Sequence, residues 1–393
     1  MVEDAEFSQK FSVGIVGLGL IGGSIAKRLV AAGSCKVYAY NRHQTMYKEA
    51  RALGITCVES VAELARMQPN VLILCNSLAA MPEVLGEISR GINKQRTTLT
   101  DVGSVKGLVR QQVKAAGLGD CYIGAHPMAG SEFTGWQASS AQLLDGALWA
   151  VSVDESSDFW RFLAVLRVIV GLCGNRALVL NDSIHDASAA LISHMPHVVS
   201  TALANVLCGS ENRNVALQMS AGSWRDMTRV ALTDPNRTRA MVAENRRNVA
   251  DLLGSVIEEL SFAKKMLEGS DGDSAVSGDE HAFFAKADSW REYKYEERVA
   301  DDGNESAAAL DLRELRFALD CACDWQSQLI QSAQSGEQIV GVSLSDSAVA
   351  CDSVSGGAVT TGGAVTAGGA ELCGAVACDS RAACITLRRV STL

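Results

Sequence analysis

Of the six histidines in the 393 residues, His126 stands where proton transfer from a hydroxyl would be expected. It opens H-P-M-A-G-S-E near the end of a predicted strand, downstream of D-V-G-S-V-K, Asp101–Lys106, which closes another. A neutral imidazole, with an ordinary pKa of ~6.5, takes a hydroxyl proton as hydride leaves the same carbon. Ser104 is placed to hold the ring in its accepting tautomer, although a His-Pro pair taken alone is more often a structural corner. A hydride acceptor has its own signature upstream. The first predicted strand runs into G-L-G-L-I-G, with Gly17, Gly19 and Gly22 around Leu20 and Ile21, and a helix follows. In that setting the first glycine allows a tight turn, the second lets a pyrophosphate reach the backbone, and the third lets helix and strand pack closely.

A dinucleotide site usually carries Asp or Glu for the ribose at the end of the second strand. Here the chain reads Tyr40-Asn41-Arg42-His43. Asn41 does not repel a 2′-phosphate and Arg42 can pair with one, so the expectation leans to NADP over NAD. A solvated Arg42 and dual cofactor use is the alternative. His185, His194 and His197 recur along one predicted helix, with His194 and His197 on a shared face. No H-E-x-x-H is present, Pro196 interrupts the pair, and hydride transfer needs no metal, so no metal site is expected. Asp186 and Asp226 read as pairing or capping residues, and Trp136 and Trp224 as core or ring-flanking residues.

These groups need a frame. Residues 10–182 alternate short β-branched runs (Phe11–Val16, Lys36–Tyr40, Val71–Cys75, Thr97–Asp101, Cys121–Ala125, Trp149–Val153, Arg176–Leu180) with helical-period segments. That alternation predicts an α/β Rossmann-type dinucleotide-binding domain, a mostly parallel sheet with helices on both faces. Residues 183–268 read as an all-α domain: Ser183–Cys208 kinked at Pro196, a segment around Ala216–Leu232, and Pro235–Leu267 capped by Asp234. Residues 269–393 read as an acidic linker, one helix within 307–334, and a low-complexity tail carrying a G-G-A-V-T-T near-repeat over 356–373.

The motifs G-L-G-L-I-G-G-S, D-V-G-S-V-K, H-P-M-A-G-S-E, H-D-A-S-A-A-L-I-S-H-M-P-H and G-S-W-R-D-M-T-R, in this order over about residues 10–265, resemble the prephenate/arogenate dehydrogenase family of tyrosine biosynthesis. The resemblance implies NAD(P)-dependent oxidative decarboxylation of a cyclohexadienyl substrate between the two domains, and a homodimer formed through the helical one. By motif position it implies His126 as the catalytic histidine, Ser104 as its orienting serine, Arg225 as a carboxylate ligand, and His194 and His197 as substrate-pocket residues. Arg229, one turn beyond Arg225, is either a second anionic contact or a plain salt bridge. Competing readings are a β-hydroxy acid dehydrogenase, disfavoured because residues 183–235 contain no lysine, and a non-catalytic NADP-binding sensor.

Composition narrows the partners. Residues 1–262 carry 24 basic and 24 acidic side chains, so the net charge of −10 arises in the last third. No basic stripe exists for nucleic acid. No apolar run in the sequence reaches the ~18–20 residues of a membrane span, and the acidic N-terminus lacks a secretory pattern. A cytoplasmic enzyme with reduced cysteines is expected. The last third lacks the β-α-β-β-α-β alternation of an ACT-type regulatory domain, and a chain ended near residue 268 or 335 is expected to keep full activity.

Overall fold

The computed structural model describes residues 11–131, 133–269, 278–301, 314–319, 324–345 and 382–389. The near-repeat of 356–373 and Cys321, Cys323, Cys373 and Cys378 lie outside them. The first unit is β1 (Ser12–Val16), α1 (Leu20–Ala32), β2 (Lys36–Tyr40), α2 (Tyr47–Ala52), β3 (Thr56–Cys57), α3 (Val61–Arg66), β4 (Val71–Leu74), α4 (Met81–Ser89) and β5 (Thr98–Asp101). Its strands form a parallel sheet in the order β3-β2-β1-β4-β5. All five residues of β1 are buried, the run expected of a strand covered on both faces. The carboxyl ends of β1, β2 and β4 therefore open on one crevice.

Beyond a single parallel bridge between Leu99 and Tyr122, the expected strands after Asp101 do not extend this sheet. Helix α5 (Gly107–Ala115) leads to β6 (Gly124–Pro127), β7 (Leu148–Ser152), α6 (Phe159–Leu166) and β8 (Arg176–Leu180). These strands start a second, mixed sheet, in which β6 pairs antiparallel with β7 and β7 parallel with β8. His126 and Pro127 sit in edge strand β6, where a proline is tolerated because its nitrogen need not join a ladder.

The helical unit begins with α7 (Asp182–Ala189), which passes through a π-helical turn, Ala190–His194, into α8 (Met195–Gly209). The wide turn lies just before Pro196, which takes the first positions of α8, so the missing N–H and ring bulk are absorbed there. Helices α9 (Arg213–Gln218) and α10 (Gly222–Thr228) follow. The single helix expected over 235–267 is two, α11 (Pro235–Glu244) and α12 (Arg246–Gly269), separated at Asn245. Asp234 caps α11 through the N–H groups of Asn236 and Arg237.

The acidic third is more structured than its composition suggests. Helices α13 (Gly278–Ala285) and α14 (Asp288–Asp301) form a further helical segment, and Phe283 stacks on Phe262 of α12 at 6.0 Å. Strand β9 (Glu314–Leu319), α15 (Trp325–Gln334), β10 (Glu337–Ser345) and β11 (Ala382–Arg389) return to the first domain. They complete the second sheet in the order β6-β7-β8-β10-β11-β9. The helix expected within 307–334 is thus a strand followed by a shorter helix, and the segment adds a β-α-β-β run to the first domain. Leu319, Trp325, Leu329, Ile339, Ala383, Ile385 and Leu387 are buried in one core with Phe159, Phe162 and Ala177.

Candidate active site

The glycine loop has the geometry a pyrophosphate requires. Gly17 adopts φ +101°, a region side chains avoid, and its N–H donates to the Tyr40 carbonyl at 2.8 Å. A Cβ on Gly22 would stand 1.9 Å from the Gly17 carbonyl oxygen, whereas one on Gly19 would meet nothing within 4 Å. The space in front of Gly19 is where a phosphate would approach, facing the first-turn N–H groups of Leu20 and Ile21 at the α1 N-terminus. A cleft of about 540 Å³ adjoins it, lined by Leu18, Gly19, Asn41, His43, Thr45 and Trp136 among others. Asn41 Oδ1 accepts the Leu18 N–H at 2.8 Å, so this side chain braces the loop as well as replacing the usual carboxylate. Arg42 is exposed at the cleft margin and does not line it. Asn76, at the end of β4, has a buried Oδ1 without a partner, a candidate cofactor contact that no motif had indicated. Trp136 belongs to this cleft and not to the histidine-lined one; its Nε1–H donates to Glu49 at 2.8 Å.

A larger cavity, about 990 Å³, lies between the two domains. Ser104 and His126 line it from the first domain, and His194, His197, Arg229, Arg237 and Glu244 from the helical one. The sequence-based set is therefore brought together except for Arg225. That side chain is 78% exposed against Asp226 and, like the rest of α10, does not line the cavity. Arg229, a turn later in the 3-10 segment Arg229–Leu232, does reach it. Arg237 had no motif to mark it; its Nη1 donates to the Ser131 carbonyl at 3.1 Å and ties α11 to the loop after β6.

Ser104 shares the cavity wall with His126, but among the described residues no hydrogen bond joins them. The partner of His126 is His185, Nδ1 to Nε2 at 3.0 Å. Burial, with the charges of His185, Lys106 and His194, pulls the His126 pKa well below the ordinary histidine value, so the ring is neutral at physiological pH. Beneath it, Lys106 is fully buried and its Nζ donates to Asp101 Oδ2 and, at 2.7 Å, to the Ala125 carbonyl. Asp101 also accepts from Tyr122 Oη at 2.8 Å. Burial lowers the Lys106 pKa, and Asp101 opposes that shift. A buried charge needs such a partner, so the D-V-G-S-V-K motif is largely scaffolding for β6. His194 takes a hydrogen bond with Asn245 Nδ2 at 3.1 Å through Nδ1, and His197 Nδ1 donates to the Ser193 carbonyl at 2.9 Å. Among the described residues no cluster of three or more His, Cys, Asp or Glu is arranged to hold a metal.

Known proteins of similar sequence and architecture identify the family. The family model for the prephenate dehydrogenase nucleotide-binding domain matches residues 25–178, and that for the prephenate dehydrogenase dimerization domain matches residues 181–278. A cyclohexadienyl dehydrogenase of Zymomonas mobilis is 28% identical over 275 residues, covering 66% of this chain and 90% of the relative. A prephenate dehydrogenase of Bacillus subtilis is 25% identical over 276 residues, covering 67% and 72%. The crystal structure of prephenate dehydrogenase from A. aeolicus in complex with hydroxyphenyl propionate and NAD+ superposes with a TM-score of 0.65 at 27% identity, covering 72% of this chain and 98% of that one. With a glycine loop that accepts a dinucleotide and a neutral histidine in the adjoining interdomain cavity, the chain belongs to the prephenate/arogenate dehydrogenase family, oxidoreductases of tyrosine biosynthesis.

Proposed function

We propose that the chain oxidises prephenate or arogenate with loss of carbon dioxide, using NADP in preference to NAD, and that His126 is the base. The observation that carries this reading is the cavity wall: a neutral His126 faces a space bordered on the opposite domain by two guanidinium groups, Arg229 and Arg237. The chemistry supplied by a bound nicotinamide is acceptance of a hydride from the hydroxyl-bearing ring carbon. His126 takes the hydroxyl proton while that hydride departs. The bond to the ring carboxylate breaks, its electron pair enters the ring, carbon dioxide leaves, and His126 returns the proton to the oxygen of the aromatic product. Arg229 and Arg237 suit a substrate carrying two carboxylates, since a guanidinium binds a carboxylate with two parallel hydrogen bonds. They take over the role that motif position had suggested for Arg225. Ser104, His194 and His197 line the pocket around the ring. Glu244, half-buried on the same wall, would pair as a carboxylate with an ammonium group, which supports arogenate as a substrate; burial pushes its pKa up, and such a pairing would offset that shift.

The NADP preference is supported by the lack of a carboxylate among the described residues lining the cofactor cleft, by His43 in that lining, and by Arg42 beside it at the end of β2. A homodimer is supported by the apolar surface on the helical unit: Val206, Met219, Leu232, Ile257 and Leu260 are each more than 60% exposed. The continuous helix Asp182–Gly209 is long and apolar enough by composition to cross a membrane. It carries His185, Asp186, His194 and His197 into the active site, and its exposed apolar residues are better matched by a second copy than by lipid, so we assign the chain to the cytoplasm. The test is a steady-state comparison of prephenate and arogenate, each with NAD and NADP. NADP favoured at least tenfold in kcat/KM, and that preference lost in Arg42→Ala, is the expected result; equal use of both cofactors by the wild type refutes the preference.

A further inference from the structure

A line of three side chains runs from the cavity wall to the start of a helix. His126 Nδ1 lies 3.0 Å from His185 Nε2, with the rings at 70°. His185 Nδ1 lies 2.8 Å from Asp186 Oδ1. Asp186 in turn accepts the Lys106 N–H through Oδ1 at 2.7 Å and the Gly107 N–H through Oδ2 at 2.9 Å, at the N-terminus of α5. His185 is 2% exposed and does not itself line the cavity. We propose that His185 is a positioning residue: with Asp186 it holds His126 as the Nδ1–H tautomer, leaving the Nε2 lone pair to receive the substrate proton. This rests on His126 being the base.

The tautomers follow from what each group can donate. Burial would raise the Asp186 pKa, but the His185 hydrogen bond and the two backbone N–H groups hold it below the usual carboxylate range, so Asp186 is an acceptor only. His185 Nδ1 must then carry a proton, and a neutral His185 has its lone pair on Nε2. With a single proton on the His185 ring, the 3.0 Å contact is a hydrogen bond in which His126 Nδ1 donates, which leaves Nε2 of His126 bare. The other titratable groups acting on His126 are Lys106, already paired with Asp101, and His194 on the π-helical turn; both disfavour an imidazolium on His126 at rest. When the substrate O–H bond breaks and the N–H bond forms at Nε2, the new positive charge lies against His185, with the Asp186 carboxylate behind it. An aspartate that fixes a histidine's tautomer without taking its proton is the logic of hydrolytic triads; here a second imidazole is interposed.

The full chain labelled with 15N in the histidine rings reads the tautomer directly by long-range 1H–15N spectra, the His126 signal being identified by its loss in His126→Asn. At neutral pH the wild type is expected to show Nδ1–H. His185→Leu should mix the tautomers and lower kcat by about 10²-fold, within the range of a general base's contribution, with cofactor Kd and substrate KM changed less than about threefold. In His185→Gln the amide oxygen can accept from His126 and the amide N–H can donate to Asp186, so kcat should recover to within about tenfold of wild type. An Nε2–H ring in a wild type that requires His126 overturns the relay alone, as does a His185→Leu variant with unchanged kcat. Full turnover in His126→Asn overturns the base assignment and the proposal with it.

Discussion

Replacing Trp325 by alanine tests whether the acidic third is part of the folded enzyme. Trp325 is 3% exposed, with its ring centroid 4.7 Å from Phe162 and 5.5 Å from Phe159, on the helix preceding β8. The same insertion brings Leu329 and Ile339 into the core and joins β10 to β8 at Ile339 and Ala177, reinforced by Arg176 donating to Gln338 at 3.0 Å. Removing a buried tryptophan costs about 3–5 kcal/mol, the transfer term plus the cavity left between two phenylalanines. At about 2–4 °C per kcal/mol for a domain of this size, Tm should fall by about 6–20 °C. Neither cavity is lined by an α15 residue, so KM and kcat measured below the transition should stay within about twofold of wild type. Ending the chain after Gly269 removes Trp325, Leu329, Ile339, Ile385 and Leu387 together and bares the β8 edge, so it should aggregate or melt below the point mutant. This reverses the expectation that a chain ended near 268 or 335 keeps full activity. A Trp325→Ala melt within 2 °C of wild type by calorimetry or circular dichroism would refute the seating of α15.

The other predictions concern the two clefts and their charges. His126→Asn should cut kcat by about 10²–10⁴-fold with cofactor Kd unchanged by fluorescence titration, because general-base catalysis contributes that much. Arg229→Ala should raise KM at least tenfold, since a hydrogen bond to a charged group is worth about 1.5–3 kcal/mol, whereas Arg225→Ala, with its side chain 78% exposed, should leave KM within about twofold. Gly19→Ala should weaken cofactor binding without lowering Tm, and Gly22→Ala should lower both, because only the second Cβ meets backbone at 1.9 Å. Burial, with the charges of His185 and His197, lowers the His194 pKa to about 4. The unfolded chain therefore binds this proton first, and stability should fall as pH drops from about 6.5 towards 4, a slope that His194→Gln should reduce in urea titrations.

Local patterns made much of the site legible. The glycine loop, the end of β2 and the Asp234 cap depend on neighbours within one or two turns of chain, so residue type and spacing were enough. The identity of the second guanidinium was not legible: Arg225 and Arg229 differ by one helical turn, and which of them meets the cavity depends on how α10 and the segment Arg229–Leu232 dock, a property of packing. Arg237 was missed for the same reason. His185 was noticed only as one more histidine at helical spacing, because its partner His126 lies on a strand of the other domain, 59 residues away.

The sequence by itself determined the dinucleotide loop, the order of an α/β unit followed by helices, and the family of dehydrogenases. These are written in short-range spacing and hydrophobic period. Tertiary structure alone decided that the first domain holds two sheets, that part of the acidic third completes the second of them, and that His126 answers to His185 and not to Ser104. Strand pairing between β8 and β10 joins residues 162 apart, and composition averages such distant segments into a tail. Only the folded chain shows which apolar faces meet and which proton donor a buried acceptor finds.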